Sequence, residues 1–395
     1  MSHYENLPKG WCISTIGEVF NLQAGKNISA NDIHEYSQNF PYACYGGNGI
    51  RGYVSDYNRD GKFPIIGRQG ALCGNVNFAK GKFYATEHAV VVTCFAGVNV
   101  EWARYVLEAM NLNQYATATA QPGLSVATVN EVEFMLPPLK EQCRIAEFIA
   151  NSFEAIASLT SQTNDLLLNL DRAKSKILDL AIHGKLVPQD DNDEPASELL
   201  KRINPKAIAS CDNPQYGKVP SSWIISTVGE VFTINPKTHV EDDTEAAFVP
   251  MTCVSDGYSN TFEYECKKWG DIKKGFVHFQ ENDVAVAKIS PCLENRKSVV
   301  FHDLPNGIGA GTTELNVFRC TEILPEYALF YFKSQMFIGS CAGTYNGVVG
   351  QQRVAKSFIQ ELPIGIPPYK EQMRIVSKVN DLFSQLDMIE KSLQA

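Results

Sequence analysis

The residues best equipped for chemistry fall on glycine-rich turns. Tyr45, Asn48, Arg51, Tyr53, Arg68, Gln69 and Asn75 punctuate PYACYGGNGIRGYV and KFPIIGRQGALCGNV. Lys288, Ser290, Asn295, Arg296, Lys297, Thr312, Thr313, Gln351, Gln352 and Arg353 are spread over AKISPCLENRK, GAGTTE and a later Gly/Gln loop. Most of these side chains donate or accept more than one hydrogen bond, and glycine lets a backbone approach a ligand closely. That is the chemistry of recognition rather than of bond making. Asn295-Arg296-Lys297 is the strongest local basic patch. Taken singly, each position also suits an ordinary solvated turn.

Catalytic constellations are missing. No nucleophile, base and oxyanion donors assemble, and no GxxxxGK[ST] loop occurs. Glu87-His88 is an acid–base pair on paper, but a lone His beside a strand is more often structural. Phe95-Ala96-Gly97-Val98 and Asp212-Asn213-Pro214-Gln215-Tyr216 are faint counterparts of methyltransferase motifs. The first lies in a strand and the second lacks its second proline, so both read as chance. Asp190, Asp191, Asp193 and Glu194 suit a solvated linker better than a cation site. The 11 cysteines include no CxxC and no Cys–His pair at zinc spacing, which reads as reduced thiols. The chain is expected to be non-catalytic, with no metal or cofactor of its own.

The turns need strands to hold them. Residues 40–100 read as short strands joined by Gly turns, followed by a short amphipathic helix at Glu101–Met110. The stretch Leu139–Val187 is different. Ile145, Ile149, Ile156, Leu159, Leu166, Leu170, Ala173, Ile177 and Leu180, with Ser152 and Thr163 admitted, repeat every 3.5 residues. Pro137-Pro138 precede it and Gly184 closes it. The pattern predicts a helix of about 43 residues, about 65 Å long, packed along its seam on another helix.

The chain supplies that partner by repeating itself. Pro367-Pro368, Lys370-Glu371-Gln372 and Arg374-Ile375 repeat Pro137-Pro138, Lys140-Glu141-Gln142 and Arg144-Ile145 at an offset of 230. The seam continues through Val379, Leu382, Leu386, Ile389 and Leu393. Trp11-Cys12-Ile13-Ser14-Thr15-Ile16-Gly17-Glu18 repeats as Trp223-Ile224-Ile225-Ser226-Thr227-Val228-Gly229-Glu230 at an offset of 212. Pro325–Phe332 repeats the short helix. The chain is a tandem duplication of body plus helix, with matching frames and unlike turns. Residues 188–217 read as a polar, acidic linker in which Ala196–Ile203 forms one or two helical turns.

Bulk properties narrow the partners. The net charge is −9 over 395 residues, and no segment is basic. That argues against a free-standing duplex binder working by charge alone. No run approaches 18 apolar residues and MSHYENLPKGW lacks a signal-peptide core, so a cytoplasmic protein without membrane contact is expected. From residues alone, a coiled-coil scaffold carrying two protein- or glycan-binding modules is the alternative, and the acidic balance suits it.

The two PPxxEQxRI junctions, the ending LAIHGKLVPQD and the two W-x-I-S-T-[IV]-G-E openings resemble type I restriction–modification specificity (S) subunits over the whole chain. The resemblance implies an α+β fold. Two α/β target-recognition domains, 1–138 and 218–366, are separated by two long helices, 139–187 and 367–395, in an antiparallel coiled coil with pseudo-twofold symmetry; 188–217 links the halves. It implies one half of a bipartite double-stranded DNA target per domain. It implies two methyltransferase (M) subunits docked on the helices and restriction (R) subunits joined through them. S-adenosylmethionine and ATP are expected on those partners only. The residues of the first paragraph become candidates for base edges and phosphates. One departure is plain: Ala395 corresponds to Asp165, so the counterpart of LNLDRAKSKILDLAIHGKLV is missing, and either the coil is asymmetric or the chain is truncated.

Overall fold

Each W-x-I-S-T-[IV]-G-E opening folds into a strand paired with the strand that leads into its own Pro-Pro. Cys12–Thr15 runs antiparallel to Glu133–Leu136, with Cys12 opposite Leu136. Ile224–Thr227 runs antiparallel to Pro363–Ile366, with Ile224 opposite Ile366. The second register is the first shifted by the two offsets of the sequence repeat. A helical turn follows each opening, Ile16–Val19 and Val228–Val231. Its glutamate folds back on the strand: Ser14 Oγ donates to Glu18 at 2.8 Å, and Ser226 Oγ to Glu230 at 2.7 Å. The Thr15 N–H also donates to Glu18, at 3.1 Å, which satisfies a donor the helix leaves free. The glycine is needed for close packing: a Cβ on Gly17 would lie 3.0 Å from Asn130, and one on Gly229 3.1 Å from Gln360.

The structure, a computed structural model, describes residues 7–70, 72–117, 122–210, 212–319, 321–344 and 352–394. It divides into two units, Met1–Thr160 and Ser161–Ala395. In the first, six strands form one sheet in the order Phe20–Ala24, Ala89–Cys94, Arg59–Gly67, Val76–Ala85, Tyr42–Gly46, Gly49–Val54. Only Tyr42–Gly46 and Val76–Ala85 pair in parallel. The central strands are apolar on both faces because both are covered. Ile65 and Val91 pack with Phe83, while Ile66, Val90 and Val92 meet Trp102, Ala103 and Leu107 of the helix Val100–Ala109.

The second unit holds two four-stranded sheets. One orders Thr233–Ile234, Leu315–Arg319, Val284–Ala287, Ser298–Val300; the other orders Glu265–Lys268, Glu245–Val249, Ile308–Gly311, Val277–Gln280. Ala247, Val249 and Phe279 of one share a core with Ala285, Val299, Leu315 and Val317 of the other. The far side, with Val284, Val286 and Phe318, packs with the helix Pro325–Lys333.

Both junction motifs do the same physical work. The helices Leu139–Ile182 and Tyr369–Gln394 begin just after their Pro-Pro pairs. In the first turn of each, a buried glutamine ties three elements together. Gln142 Nε2 donates to Pro137 O at 2.9 Å while its Oε1 accepts from Asn99 N at 2.8 Å. Gln372 donates to Pro367 O at 3.2 Å and accepts from Leu324 N at 2.8 Å. Asn99 and Leu324 are the N-caps of the short helices. The glutamate before it meets the opening tryptophan: Trp11 Nε1 donates to Glu141 at 3.0 Å. Its counterpart Glu371 is buried, which pushes its pKa up, and Trp223 Nε1 has no hydrogen-bond partner among the described residues.

Within the second unit the two helices run antiparallel. Lys174 meets Asp387 at 2.7 Å and Glu390 at 2.9 Å, whereas Gln189, beyond the first helix, reaches Glu371 at the start of the second at 2.6 Å. Leu178, Ala181 and Ile182 are buried in one core with Ile375 and Val379. The continuous seam expected from the heptads is not observed. Ile156 is 58% exposed and Leu159 63%. Within the second unit the second helix lies beside the C-terminal turns of the first.

The expected solvated linker is also corrected. Ala196–Ile203 is a helix, as its sequence suggests, but Ala196, Leu199 and Leu200 are buried. Asp193 is buried too and binds Arg374 at 2.6 Å. Tyr216 donates to Ile182 O at 2.5 Å from within the same core. The acidic run looked solvated because its apolar residues are few, yet they recur at helical spacing on one face.

Replacing Gln372 with Leu leaves the Leu324 N–H and the Pro367 carbonyl buried without their partner. Urea unfolding is expected to show a loss of about 1–3 kcal/mol; an unchanged midpoint would mean the bridge is not stabilising.

Candidate nucleic-acid interface

In the first unit, glycines press two turns together. A Cβ on Gly67 would fall 1.8 Å from Gly47 O, so only glycine permits the approach. Beside this close approach lies an open cleft of about 660 Å³ whose lining includes Asn48, Ile50, Arg51, Gln69, Leu72 and His88. Asn75 joins it indirectly, donating to Asn48 at 3.1 Å. Arg68 is exposed beside Gln69, and its backbone is fixed by bonds to His88 and Leu124 at 2.9 and 2.8 Å. Neither Arg51 nor Arg68 makes an ion pair among the described residues.

Two of the seven candidates do other work. Tyr45 stands edge-on to Phe83, 5.5 Å between centroids, and burial pushes its phenol pKa up. Tyr53 packs edge-on to Tyr36 at 5.2 Å, with its backbone bonded to His34. Neither ring is among the residues that line the cleft with Asn48, Arg51 and Gln69. Three further residues of the cleft, His88, Ile50 and Leu72, were not among the sequence candidates, and His88 meets Glu87 at 3.2 Å. Apolar side chains among hydrogen-bonding ones suit thymine methyl groups next to base edges, but isolated Ile and Leu in a turn give no sequence signal.

The second unit separates its candidates into two groups. Lys288, Ser290, Thr312, Gln352 and Arg353 converge through backbone bonds. Lys288 N donates to Glu314 O at 2.9 Å, Val354 N to Lys288 O at 2.9 Å, and Ser290 N to Gln352 O at 2.9 Å. Thr313 is exposed next to them. At the centre is Glu314, which was not a sequence candidate. Arg353 grips it with two bonds of 2.8 Å and, ahead of Lys288, holds its carboxyl below the usual range. Gln351 lies outside the described residues.

Asn295-Arg296-Lys297 is scaffold rather than a free basic patch. Lys297 Nζ donates to Val254 O at 2.8 Å and Met251 O at 3.4 Å and lies 3.5 Å from Asp256. Arg296 stacks over Tyr258, 4.7 Å from its ring centre, and donates to Lys333 O at 3.2 Å. Asn295 is exposed, but its carbonyl holds Gly257 N at 2.8 Å. Arg296 Nη2 also donates to Gln335 at 3.2 Å, so both cations are engaged by oxygens of the chain itself. A cleft of about 560 Å³ lined by Lys237, His239, Glu241, Lys273, Lys274 and His278, with Lys273 paired to Asp242 at 2.5 Å, had no signal in the sequence because its two groups of residues lie far apart in the chain. Among the described residues, no group of three His, Cys, Asp or Glu could hold a metal ion, and no helix is long and apolar enough to cross a membrane.

Duplicated frames, each carrying a cluster of hydrogen-bonding side chains and joined by long helices, define a class of recognition protein. The family model described as type I restriction modification DNA specificity domain matches residues 8–169 and 220–395, and the chain belongs to that family. It is 42% identical over 246 residues to the Escherichia coli type I restriction enzyme EcoEI specificity subunit, covering 57% of this chain and 41% of the relative. The EcoAI specificity subunit, also from E. coli, matches to the same extent. The match thus spans about two fifths of the length of these relatives. The EcoDI specificity subunit is 20% identical over 98% of this chain and 84% of its own. Among solved structures, the HsdS subunit from Thermoanaerobacter tengcongensis shares the fold with TM-score 0.55 at 15% identity, covering 99% of this chain and 93% of that one. A chain from a structure of type I R-M complex assembly and conformational transition has TM-score 0.62 at 14% identity, covering 98% and 94%.

One buried group near this site should govern stability. Lys333 is 1% exposed, with its amine on Gly257 O at 2.7 Å and Arg296 O at 2.8 Å. Burial, and then Arg296, pushes its pKa down from 10.5 to about 7. Below about pH 7 both folded and unfolded chains carry the proton. Above it the folded chain releases the proton first, so the unfolded chain binds more and stability rises with pH towards 10.5. Lys333→Met should flatten that rise, on the order of a few kcal/mol, in urea unfolding between pH 7 and 10.

Proposed function

We propose that this chain is the non-catalytic DNA-specificity subunit of a type I restriction–modification enzyme. Each unit carries the residues that read one half of a bipartite double-stranded target. The helices dock the methyltransferase subunits, two on this reading, and restriction subunits join through them. S-adenosylmethionine and ATP belong to those partners; this chain supplies sequence recognition and spacing. The bodies on this reading are residues 1–138 and 218–366, and the complex works in the cytoplasm.

One observation carries the reading: a frame repeated to the residue holds two unlike recognition surfaces. The strand pairs, the capping glutamates and the buried glutamines coincide between copies. The Gly-turn cleft around Arg51 and Gln69 and the Glu314–Arg353 cluster do not. Keeping the holder while changing the contents is what two half-sites of different sequence require. The acidic balance fits the same reading, since net charge −9 leaves the phosphate attraction that dominates nonspecific affinity to partner subunits.

Replacing residues 1–138 with those of a relative is expected to change one half-site and leave the other intact, read by mapping methylated adenines after modification by the complex. Within that body, Arg51→Ala or Gln69→Ala should relax the same half-site, by about 1–3 kcal/mol for each bidentate hydrogen-bond pair to a base that is removed. A swap that alters both halves would contradict the division of labour.

A further inference from the structure

The side chains of the two recognition clusters differ, but the backbone that seats them is shared. In the first unit Arg68 N donates to His88 O at 2.9 Å, and Arg68 O accepts from Leu124 N at 2.8 Å. In the second, Lys288 N donates to Glu314 O at 2.9 Å, and Lys288 O accepts from Val354 N at 2.9 Å. Gly70 N reaches Pro122 O at 2.9 Å, and Ser290 N reaches Gln352 O at 2.9 Å. Gln69 bridges Gly123 as Ile289 bridges Arg353. The strands beneath agree, since Gly67 pairs with Ala89 and Ala287 with Leu315. The same threonine supports each turn: Thr86 Oγ1 accepts from His88 N at 3.4 Å, and Thr312 Oγ1 from Glu314 N at 3.2 Å. Lys288 follows Arg68 by 220 positions, Glu314 follows His88 by 226, and Val354 follows Leu124 by 230. These offsets rise in order from the 212 of the openings to the 230 of the junctions.

Among the described residues of this seat, Arg68 and Lys288 occupy the one position that is cationic in both units. Neither makes an ion pair among the described residues. Arg68 is exposed and stands outside the cleft lining, which includes Gln69, His88 and Gly123. The counterparts of those three are Ile289, Glu314 and Arg353, and every one differs in polarity or charge. A phosphate is the same in every DNA sequence, whereas a base edge is not. A side chain kept in two sites that read different sequences therefore suits the phosphate backbone. Side chains that change on the same backbone suit the bases.

We propose that Arg68 and Lys288 are one anchoring position, each holding a phosphate of its own half-site, and that positions 69, 88 and 123, or 289, 314 and 353, determine which bases are read. The inference rests on the DNA reading and divides the labour within each body. Gln69 suits an adenine edge. The Glu314–Arg353 pair offers a carboxylate to a cytosine amine and a guanidinium to guanine, so a G·C pair belongs at this seat in the second half-site.

The test uses the complex of the full chain with a co-expressed methyltransferase. Methylated adenines in cellular DNA give the wild-type motif. Fluorescence anisotropy then follows binding to a duplex that carries the motif and to one that lacks it. Arg68→Ala and Lys288→Ala should weaken both duplexes by the same factor, lower the slope of log affinity against log salt by about 1, and leave the motif unchanged. Arg68→Lys and Lys288→Arg should keep wild-type affinity and motif, because a phosphate accepts a point charge as well as a planar fork. Glu314→Gln should instead relax one base pair of one half-site about tenfold or more. The other half-site, still read, shows that the complex is assembled. An alanine variant at 68 or 288 that relaxes a base, a conservative variant that changes the motif, or Glu314→Gln with the wild-type motif would each overturn the inference alone. A wild-type complex that marks no two-part motif would overturn the DNA reading, and this inference with it.

Discussion

The buried glutamine of each Pro-Pro junction is the constraint on which the frame depends. An X-Pro-Pro stretch leaves carbonyls with no helical partner, and a helix N-terminus leaves N–H groups free. Gln142 and Gln372 each join one of those carbonyls to the N-cap N–H of a separate short helix. One amide therefore fixes the direction in which the long helix leaves its body. Burial makes the constraint strict, since a donor or acceptor stranded deep in the protein costs more than the bond itself contributes. In the first unit the Trp11–Glu141 hydrogen bond in the same turn also ties the opening to that helix. Together these interactions explain why W-x-I-S-T and PPxKEQ recur while the residues between them diverge.

Above the frame, recognition surfaces are free to vary because they are turns rather than core. The first unit builds its surface through glycines that bring YGGNG against IIGRQG. The second builds its surface by strand-end segments bridged through Glu314 and Arg353. Neither arrangement perturbs the strand pair beneath it. A holder that tolerates different contents is the structural basis for the proposal that each unit reads its own half-site.

Much of this was legible in the sequence. The offsets of 212 and 230 reappear residue for residue in the two strand registers, because strand pairing with a buried face tolerates no slip. The long helix, the short helices and the turn at Ala196–Ile203 were visible in their periodicity. Three things were not. Heptad spacing marks an apolar stripe but not which part of it is covered, so Ile156 and Leu159 looked like core and are exposed. Charge marks Arg296 and Lys297 but not their orientation, and both turn inward to backbone carbonyls. Glu314 carries the wrong charge for binding phosphate and escaped notice, although it organises the cationic and polar residues around it. Burial and direction are tertiary properties, and one-dimensional patterns encode them only where a period repeats.

The most direct measurement of the proposed role is a map of methylated adenines in DNA from cells that express this chain with a co-expressed methyltransferase. Two rigid frames, each with its own recognition surface, predict two short, unlike specific motifs separated by a fixed run of unspecified base pairs. A single continuous motif, or two halves whose separation varies from site to site, would contradict the account.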